Sequence, residues 1–432
     1  MERIKILFFA EAVTLAHVGR PIALAQSLDP TRFDVHFACA DGFDFCFSGT
    51  HFTRWRIDSI PSSQFLKALA GGKPVYNTAT LARYVEDDLR VLDVVKPDLV
   101  IGDFRLSLSV SARLRGVPYI SLMNAYWSPH VLQHYSVPHI PLTRLVPIRI
   151  ANALFRMARP IAFASHSIPL NRVRRQFGLP SLGADLRKVY TDADYSMYAD
   201  VPELFPPKSL PQQHAYIGPI IWAPPLPKPD WWDDVPTDKP IVYVTLGSSG
   251  QGRLLPLVLD ALSTLPVTVI AATAGTIDLA SAPANAFVAD YLPGDLAARR
   301  AALVICNGGS PTSQQALVAG VPVLGIAGNL DQFLNMSGVV KAGAGVTVRA
   351  DRFRKKQLLR QVRAMLDNRG MTAAARQVAI SFSRYPTAQR MTDFLEGVRA
   401  FHRIVPLRHM ATESGADKPP PDDHPHMVSA EH

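Results

Sequence analysis

The chain has 432 residues, 48% of them apolar, and a formal charge of +9, which is too long for one ordinary domain and supplies enough apolar material for two buried cores. No apolar run reaches the roughly 18 residues of a membrane-spanning helix, because Arg149, Arg156 and Arg159 interrupt the most hydrophobic stretch. Cys39, Cys46 and Cys306 have no CxxC-type spacing, which argues against a zinc site or a disulfide scaffold and suits free thiols in a reducing compartment.

The first residues read as a buried strand, 5–10, rather than a signal peptide: Glu2 stands among the basic residues and the apolar run ends at Glu11. A cytoplasmic protein is therefore expected. Further short apolar runs at 34–39, 98–103, 118–123 and 195–198 alternate with helical patterns. One of these patterns, 106–115, is stopped by Gly116 and followed by Pro118. Such alternation is the pattern of a parallel sheet with crossover helices. From 218 to 240 seven prolines (Pro219, Pro224, Pro225, Pro227, Pro229, Pro236 and Pro240) block regular structure and favour a semi-rigid connection. The alternation then restarts with strands expected at 241–246, 267–272, 287–291, 303–306, 321–326 and 345–348.

The expected division is an N-terminal domain over 1–218, a linker over 219–240 and a C-terminal domain over 241–386. A helix over 387–405 is expected to pack back on the first domain, ahead of a polar, proline-rich tail over 406–432 that is too poor in apolar residues to fold alone. The fold class is α/β, with two doubly wound, Rossmann-like sheets facing across a cleft. Ligands of such sheets bind at the carboxyl ends of the strands.

Charge is unevenly spread. Between Asp103 and Asp185 there is no acidic residue, while ten arginines fall inside. Residues 145–168 mix these arginines with Leu, Ile, Phe and Met, a composition compatible with an interfacial helix on anionic lipid, although an ordinary solvated basic face is the commoner source of such a pattern. Contact with an anionic membrane through 145–175, at the inner face, is one expectation. Nucleic acid is not, because the aromatics are not interleaved with the arginines as a stacking groove requires.

The most informative segment runs from Cys306 to Leu324. A buried strand enters Gly308 and Gly309, where backbone can approach a ligand without a Cβ in the way. Ser310 suits an N-cap and Pro311 a first helical position. A helix opening there turns unpaired N–H groups and its positive dipole end toward a diphosphate. Without its surroundings such a turn is equally a bland strand-to-helix connection.

The surroundings are specific. Gly320-Val321-Pro322 and Asp331-Gln332-Phe333-Leu334-Asn335 follow at the right distances, with Val244 to Ser249, Tyr216 to Pro219 and Tyr291-Leu292-Pro293 elsewhere. This ordered set resembles the donor-binding signature of the family-one glycosyltransferases, His-Gly-Gly-x-Gly-Thr-x-x-Glu-Ala-Leu followed by Gly-Val-Pro and Asp-Gln-x-x-Asn. The resemblance implies a GT-B fold and a UDP- or dTDP-type sugar donor. It implies that Gly247, Ser248 and the turn Asn307, Gly308, Gly309, Ser310 and Thr312 hold phosphates, and that Asp331 and Gln332 bind hydroxyls of the sugar. Three departures stand out: Asn307 replaces a charged-capable His, Pro311 replaces a Gly, and Gln315 replaces the Glu that binds ribose. Gln315 can still hydrogen-bond the ribose, but the choice of base is left open.

In the first domain His17 follows the first strand and precedes a helix whose start is marked by Pro21, so it should lie at the carboxyl edge of the sheet. A histidine there can take a proton from an acceptor hydroxyl. Asp103 ends the strand 99–103 at the same edge, where it can hold the second ring nitrogen, or merely cap the next helix. The resemblance to the family's Gly-His-x-x-Pro pattern, with Ala16 for Gly and the proline shifted by one, favours the dyad. The expected reaction is an inverting, metal-independent transfer to a hydroxyl of a small or lipophilic acceptor. No cofactor is expected beyond the nucleotide sugar as co-substrate. His130, His134 and His139 lack carboxylate or thiol neighbours in sequence and read as a loop over the acceptor rather than a metal site. Tyr126, Trp127 and Tyr135 in the same loop either line an apolar acceptor site or pack as a local core, and the sequence does not choose between the two. The alternatives are a nucleotide-sugar epimerase on the same fold and a non-catalytic nucleotide-sugar-binding partner protein.

Overall fold

The computed structural model describes residues 3–404 apart from 250, 278 and 280, so the expected tail, 406–432, lies outside the described residues. The first sheet has seven parallel strands: β1 (Ile4–Ala10), β2 (Phe33–Cys39), β3 (Thr53–Arg56), β4 (Leu99–Asp103), β5 (Tyr119–Met123), β6 (Tyr195–Tyr198) and β7 (His214–Tyr216). The second has six: β8 (Ile241–Thr245), β9 (Thr268–Ala272), β10 (Ala286–Ala289), β11 (Leu303–Cys306), β12 (Val323–Ala327) and β13 (Gly345–Arg349). Strands β4, β5, β8 and β11 are buried end to end. Helices cover both faces of such sheets, which is why these strands are apolar runs without alternation.

The strand orders are β3-β2-β1-β4-β5-β6-β7 and β10-β9-β8-β11-β12-β13. Each chain path runs outward to one edge and then returns to the centre, so the topological switch points lie between β1 and β4 and between β8 and β11. At the first, Ala10 pairs with Asp103; at the second, Thr245 pairs with Cys306. The loops that leave these four strands are the natural ligand loops of the two sheets.

The helices that matter below are α1 (Leu15–Gln26), α2 (Ile148–Gln176), α3 (Ser310–Val318), α4 (Leu330–Lys341) and α5 (Thr387–Ile404). The carboxyl ends of the two sheets meet. One core cluster joins Tyr126, Tyr198 and Phe205 of the first sheet's side to Val304, Ala316 and Leu334 of the second. Gly338 on α4 permits this approach, since a Cβ there would meet the Phe205 ring at 2.6 Å. Chain 219–240 crosses between the sheets without a strand, and α5 returns to the first sheet, where Met391, Leu395 and Val398 join its core. Among the described residues no helix is long and apolar enough to cross a membrane.

Two strands are absent from the sequence expectation. β3 is a largely exposed edge strand, Thr-Arg-Trp-Arg, whose charges protect the edge and hide its periodicity. β7 is only three residues long.

Candidate active site

His17 lies in the first turn of α1, which begins at Leu15. Pro21 therefore sits inside the helix rather than opening it, a correction to the sequence expectation. A ring at that position removes one backbone donor, so the carbonyl one turn back, that of His17, is left without its helical partner. The imidazole Nδ1 lies 2.7 Å from Asp103 Oδ1, and the ring stacks on Phe104 with centroids 4.9 Å apart. Asp103 is wholly buried at the end of β4. With Nδ1 taken, Nε2 is the nitrogen left to receive a proton from a hydroxyl.

Arg20 completes the group. It stands three residues after His17, on the same helical face, and donates from Nε to Asp103 Oδ2 at 3.0 Å and from Nη2 to Oδ1 at 2.8 Å. Burial opposes its charge, but the Asp103 carboxylate raises the Arg20 pKa above the ordinary arginine range. Its Nη1 donates to Asn124 Oδ1 at 2.6 Å. The same oxygen accepts from Ser310 Oγ at 3.1 Å across the cleft. A chain of hydrogen bonds thus runs from the imidazole, through Asp103, Arg20 and Asn124, to the first residue of α3.

The turn after Asp103 is held from behind. Arg105 is fully buried and donates to Asp88, Glu11 and the Asp58 carbonyl. Burial opposes the Arg105 charge too, but the Asp88 and Glu11 carboxylates hold it well above the ordinary range. With Arg105 anchored there, Phe104 adopts a left-handed φ of 59°, a conformation that costs a non-glycine residue about 1–2 kcal/mol. It presents its ring to His17.

On the opposite wall, α3 starts with Gly309 as its N-cap, and no side chain caps its first N–H groups. The sequence expectation put Ser310 at the cap. Ser310 is instead the first helical residue, and its hydroxyl is spent on Asn124. Thr312 lies half-buried in the same turn. The backbone donors at the start of α3 are thus left for a ligand. Gly308 has φ 81°, and a Cβ on it would meet Met336 Cγ at 2.8 Å.

Asn307 ties two loops together. Its Oδ1 accepts from Gly309 N at 2.9 Å, and its Nδ2 donates to Ser249 Oγ at 3.3 Å, on the loop that carries Gly247 and Ser248 after β8. Gly247, φ 62°, brings its backbone against the Asn307 amide. Asn335 then donates to the Gly308 carbonyl and to Ser313 Oγ, both at 2.8 Å. That buried amide shapes the glycine turn from beneath.

The remaining expected residues are present but engaged. Gln332 is buried, and its Oε1 accepts from Gly328 N and Asn329 N in a capping box at the start of α4. Asp331, half-buried, accepts from Trp127 Nε1 at 2.8 Å, again across the cleft. Gln315 donates to the Trp222 carbonyl in the linker at 2.7 Å. His130 packs edge-on against His214, and His139 Nδ1 lies 3.2 Å from Gln251 Nε2. Among the described residues no three His, Cys, Asp or Glu side chains group as a metal ion needs.

A family model described as Erythromycin biosynthesis protein CIII-like, C-terminal domain, matches residues 256–398. A PGL/p-HBAD biosynthesis rhamnosyltransferase of Mycobacterium bovis (strain BCG / Pasteur 1173P2) is 55% identical over 382 residues, 88% of this chain and 85% of that protein. The chain belongs to the family-one glycosyltransferases. Among solved structures, the spinosyn forosaminyltransferase SpnP superposes with a TM-score of 0.68 at 19% identity, covering 92% of this chain and all of that one. The spinosyn rhamnosyltransferase SpnG complexed with thymidine diphosphate gives 0.64 at 19% identity, covering 91% of this chain and all of that one. These likenesses show the GT-B fold.

Two residues of this glycosyltransferase site escape a reading of the sequence. Arg20 lies on the helix of His17 at an interval of one turn, the only hint it offers. Asn124 follows β5, and no motif marks it; its role exists only once the two sheets face each other.

Proposed function

We propose that this glycosyltransferase moves a rhamnosyl group from a thymidine-diphosphate sugar to a hydroxyl of a lipophilic, aromatic acceptor, with inversion and without a metal ion. The observation that carries the reading is the hydrogen-bonded path from the His17 imidazole to the uncapped start of α3. In this mechanism His17 Nε2 removes the acceptor proton as its oxygen attacks the anomeric carbon. Asp103 holds the ring and balances the imidazolium, and Arg20 fixes the carboxylate against rotation. The N–H groups of Ser310 and Thr312 stabilise the departing diphosphate through the helix dipole, a charge that a divalent ion would otherwise neutralise. Attack opposite the leaving group inverts the anomeric centre.

The donor rests on relatives: one is named a rhamnosyltransferase, and SpnG holds thymidine diphosphate. The acceptor rests on the rings beside His17. Phe104 meets Tyr190 at 5.3 Å and Tyr76 at 6.2 Å between centroids, and Tyr190 meets Trp127 at 5.0 Å. Such a wall recognises an apolar aromatic body. We place the enzyme, working on that acceptor, at an anionic membrane surface reached through residues 145–175.

The test is transfer from dTDP-rhamnose and UDP-glucose to a panel of phenols and aliphatic alcohols, with and without EDTA. The expected result is a rhamnosylated phenol of inverted anomeric configuration, formed equally with EDTA. A retained configuration, abolition by EDTA or a preference for UDP-glucose contradicts the corresponding part of the reading.

A further inference from the structure

The helix α2 is 29 residues long and carries two apolar faces. Phe163, Leu170 and Val173 point inward and are buried. On the other side, Ile150, Leu154, Met157, Ile161 and Ile168 are exposed, Met157 at 77% and Ile161 at 76%. At about 100° per residue these five positions fall within about 60° of one another. Leu145, just before the helix, is 81% exposed. A monomer rarely leaves so many large apolar side chains in one line facing water.

The charges beside this line have one sign. Arg149 and Arg156 stand to one side of it, about 80–160° around the helix, and Arg172 and Arg175 continue its line toward the C-terminal end of the helix; all four are exposed. None of these four arginines makes an ion pair among the described residues, whereas Arg174, which faces inward, pairs with Asp192. With no carboxylate between Asp103 and Asp185, the face has no acidic group of its own to satisfy them.

We infer that this outer face of α2 docks the protein onto a bilayer containing anionic lipid, the helix lying in the plane of the interface. An apolar stripe bordered by arginines is the composition that such a position requires: the stripe enters the acyl boundary while the guanidinium groups meet lipid phosphates. A second copy of the chain fits the face less well, because stacking two such stripes brings arginines against arginines with no carboxylate between them. The inference deepens the reading of a lipophilic acceptor, since it brings the cleft of His17 to the phase in which that acceptor dissolves.

The test uses the full chain without substrates. Sedimentation is measured with vesicles of pure phosphatidylcholine and with vesicles of phosphatidylglycerol and phosphatidylcholine in a one-to-two ratio. The expected result is binding to the mixed vesicles that weakens with added salt. It should fall at least about tenfold in Met157→Asp/Ile161→Asp and in Arg149→Gln/Arg156→Gln. Unchanged melting midpoints and unchanged transfer to a water-soluble phenol show that the variants are folded and separate docking from catalysis. Three results overturn the inference: no vesicle binding by the parent chain, equal binding by the folded variants, or a lipid-free dimer that Met157→Asp/Ile161→Asp dissociates.

Discussion

Replacing Asp103 by asparagine keeps the shape of the side chain and removes its charge. The carboxylate accepts three hydrogen bonds, from His17 Nδ1 and twice from Arg20, at 2.7, 2.8 and 3.0 Å. An amide offers one oxygen and two N–H donors. If the oxygen stays with Arg20 Nε, the NH2 group faces His17 and the imidazole turns its acceptor nitrogen inward. Nε2 then carries the proton and cannot act as a base. General-base catalysis is worth about 10²–10⁴ in rate, or about 3–5 kcal/mol. The same change leaves Arg20 buried without a counter-ion, which costs up to about 3–5 kcal/mol of stability. The assay is release of nucleotide diphosphate under saturating donor, beside calorimetric affinity for thymidine diphosphate and a melting curve. The expected result is a kcat lower by about 10²–10⁴ with nucleotide affinity unchanged. His17→Ala should lose a similar factor and the double variant little more, because the two residues act as one unit. A folded Asp103→Asn enzyme with the parent's kcat refutes the reasoning.

Gly308→Ala forces a Cβ to 2.8 Å from Met336 Cγ at a φ of 81°; it should cost about 1–3 kcal/mol and abolish nucleotide binding, seen by melting and calorimetry. Asn335→Ala leaves the Gly308 carbonyl unpaired and should weaken donor affinity about tenfold, with kcat at saturation little changed. Asp200, which accepts from Ala125 N, Asn124 and Gln314 across the cleft, is pushed by burial up to about 7 from an ordinary 3.8. A raised folded-state pKa gives stability that is full below pH 3.8 and lost as pH rises through about 7. Melting between pH 4 and 7 should therefore show a decline of at most about 4 kcal/mol from this group, absent in Asp200→Asn.

The strands at the two switch points are legible in the sequence because burial on both faces makes them apolar runs, and the glycine turn is legible because only glycine suits Gly308's conformation. His17 and Asp103 could be paired in advance because both end the adjacent central strands or follow them directly. Arg20, Asn124 and Trp127 could not: each acquires its partner from sequence positions 83 to 204 residues away, a separation that no local pattern encodes. The misplaced helix starts have a local cause. Pro21 and Pro311 both resemble opening prolines, yet Pro21 lies inside α1 and Ser310, before Pro311, is already helical. Gln332 shows the opposite limit, since its position is marked by a motif while its side chain closes a capping box.

The central claim is that a diphosphate sits on the start of α3 opposite the imidazole of His17. The most direct measurement is a crystal structure of the chain with thymidine diphosphate bound. The account expects the terminal phosphate within hydrogen-bond distance of the Ser310 or Thr312 N–H groups, on the wall facing His17; a nucleotide bound on any other surface, with that turn free, contradicts it.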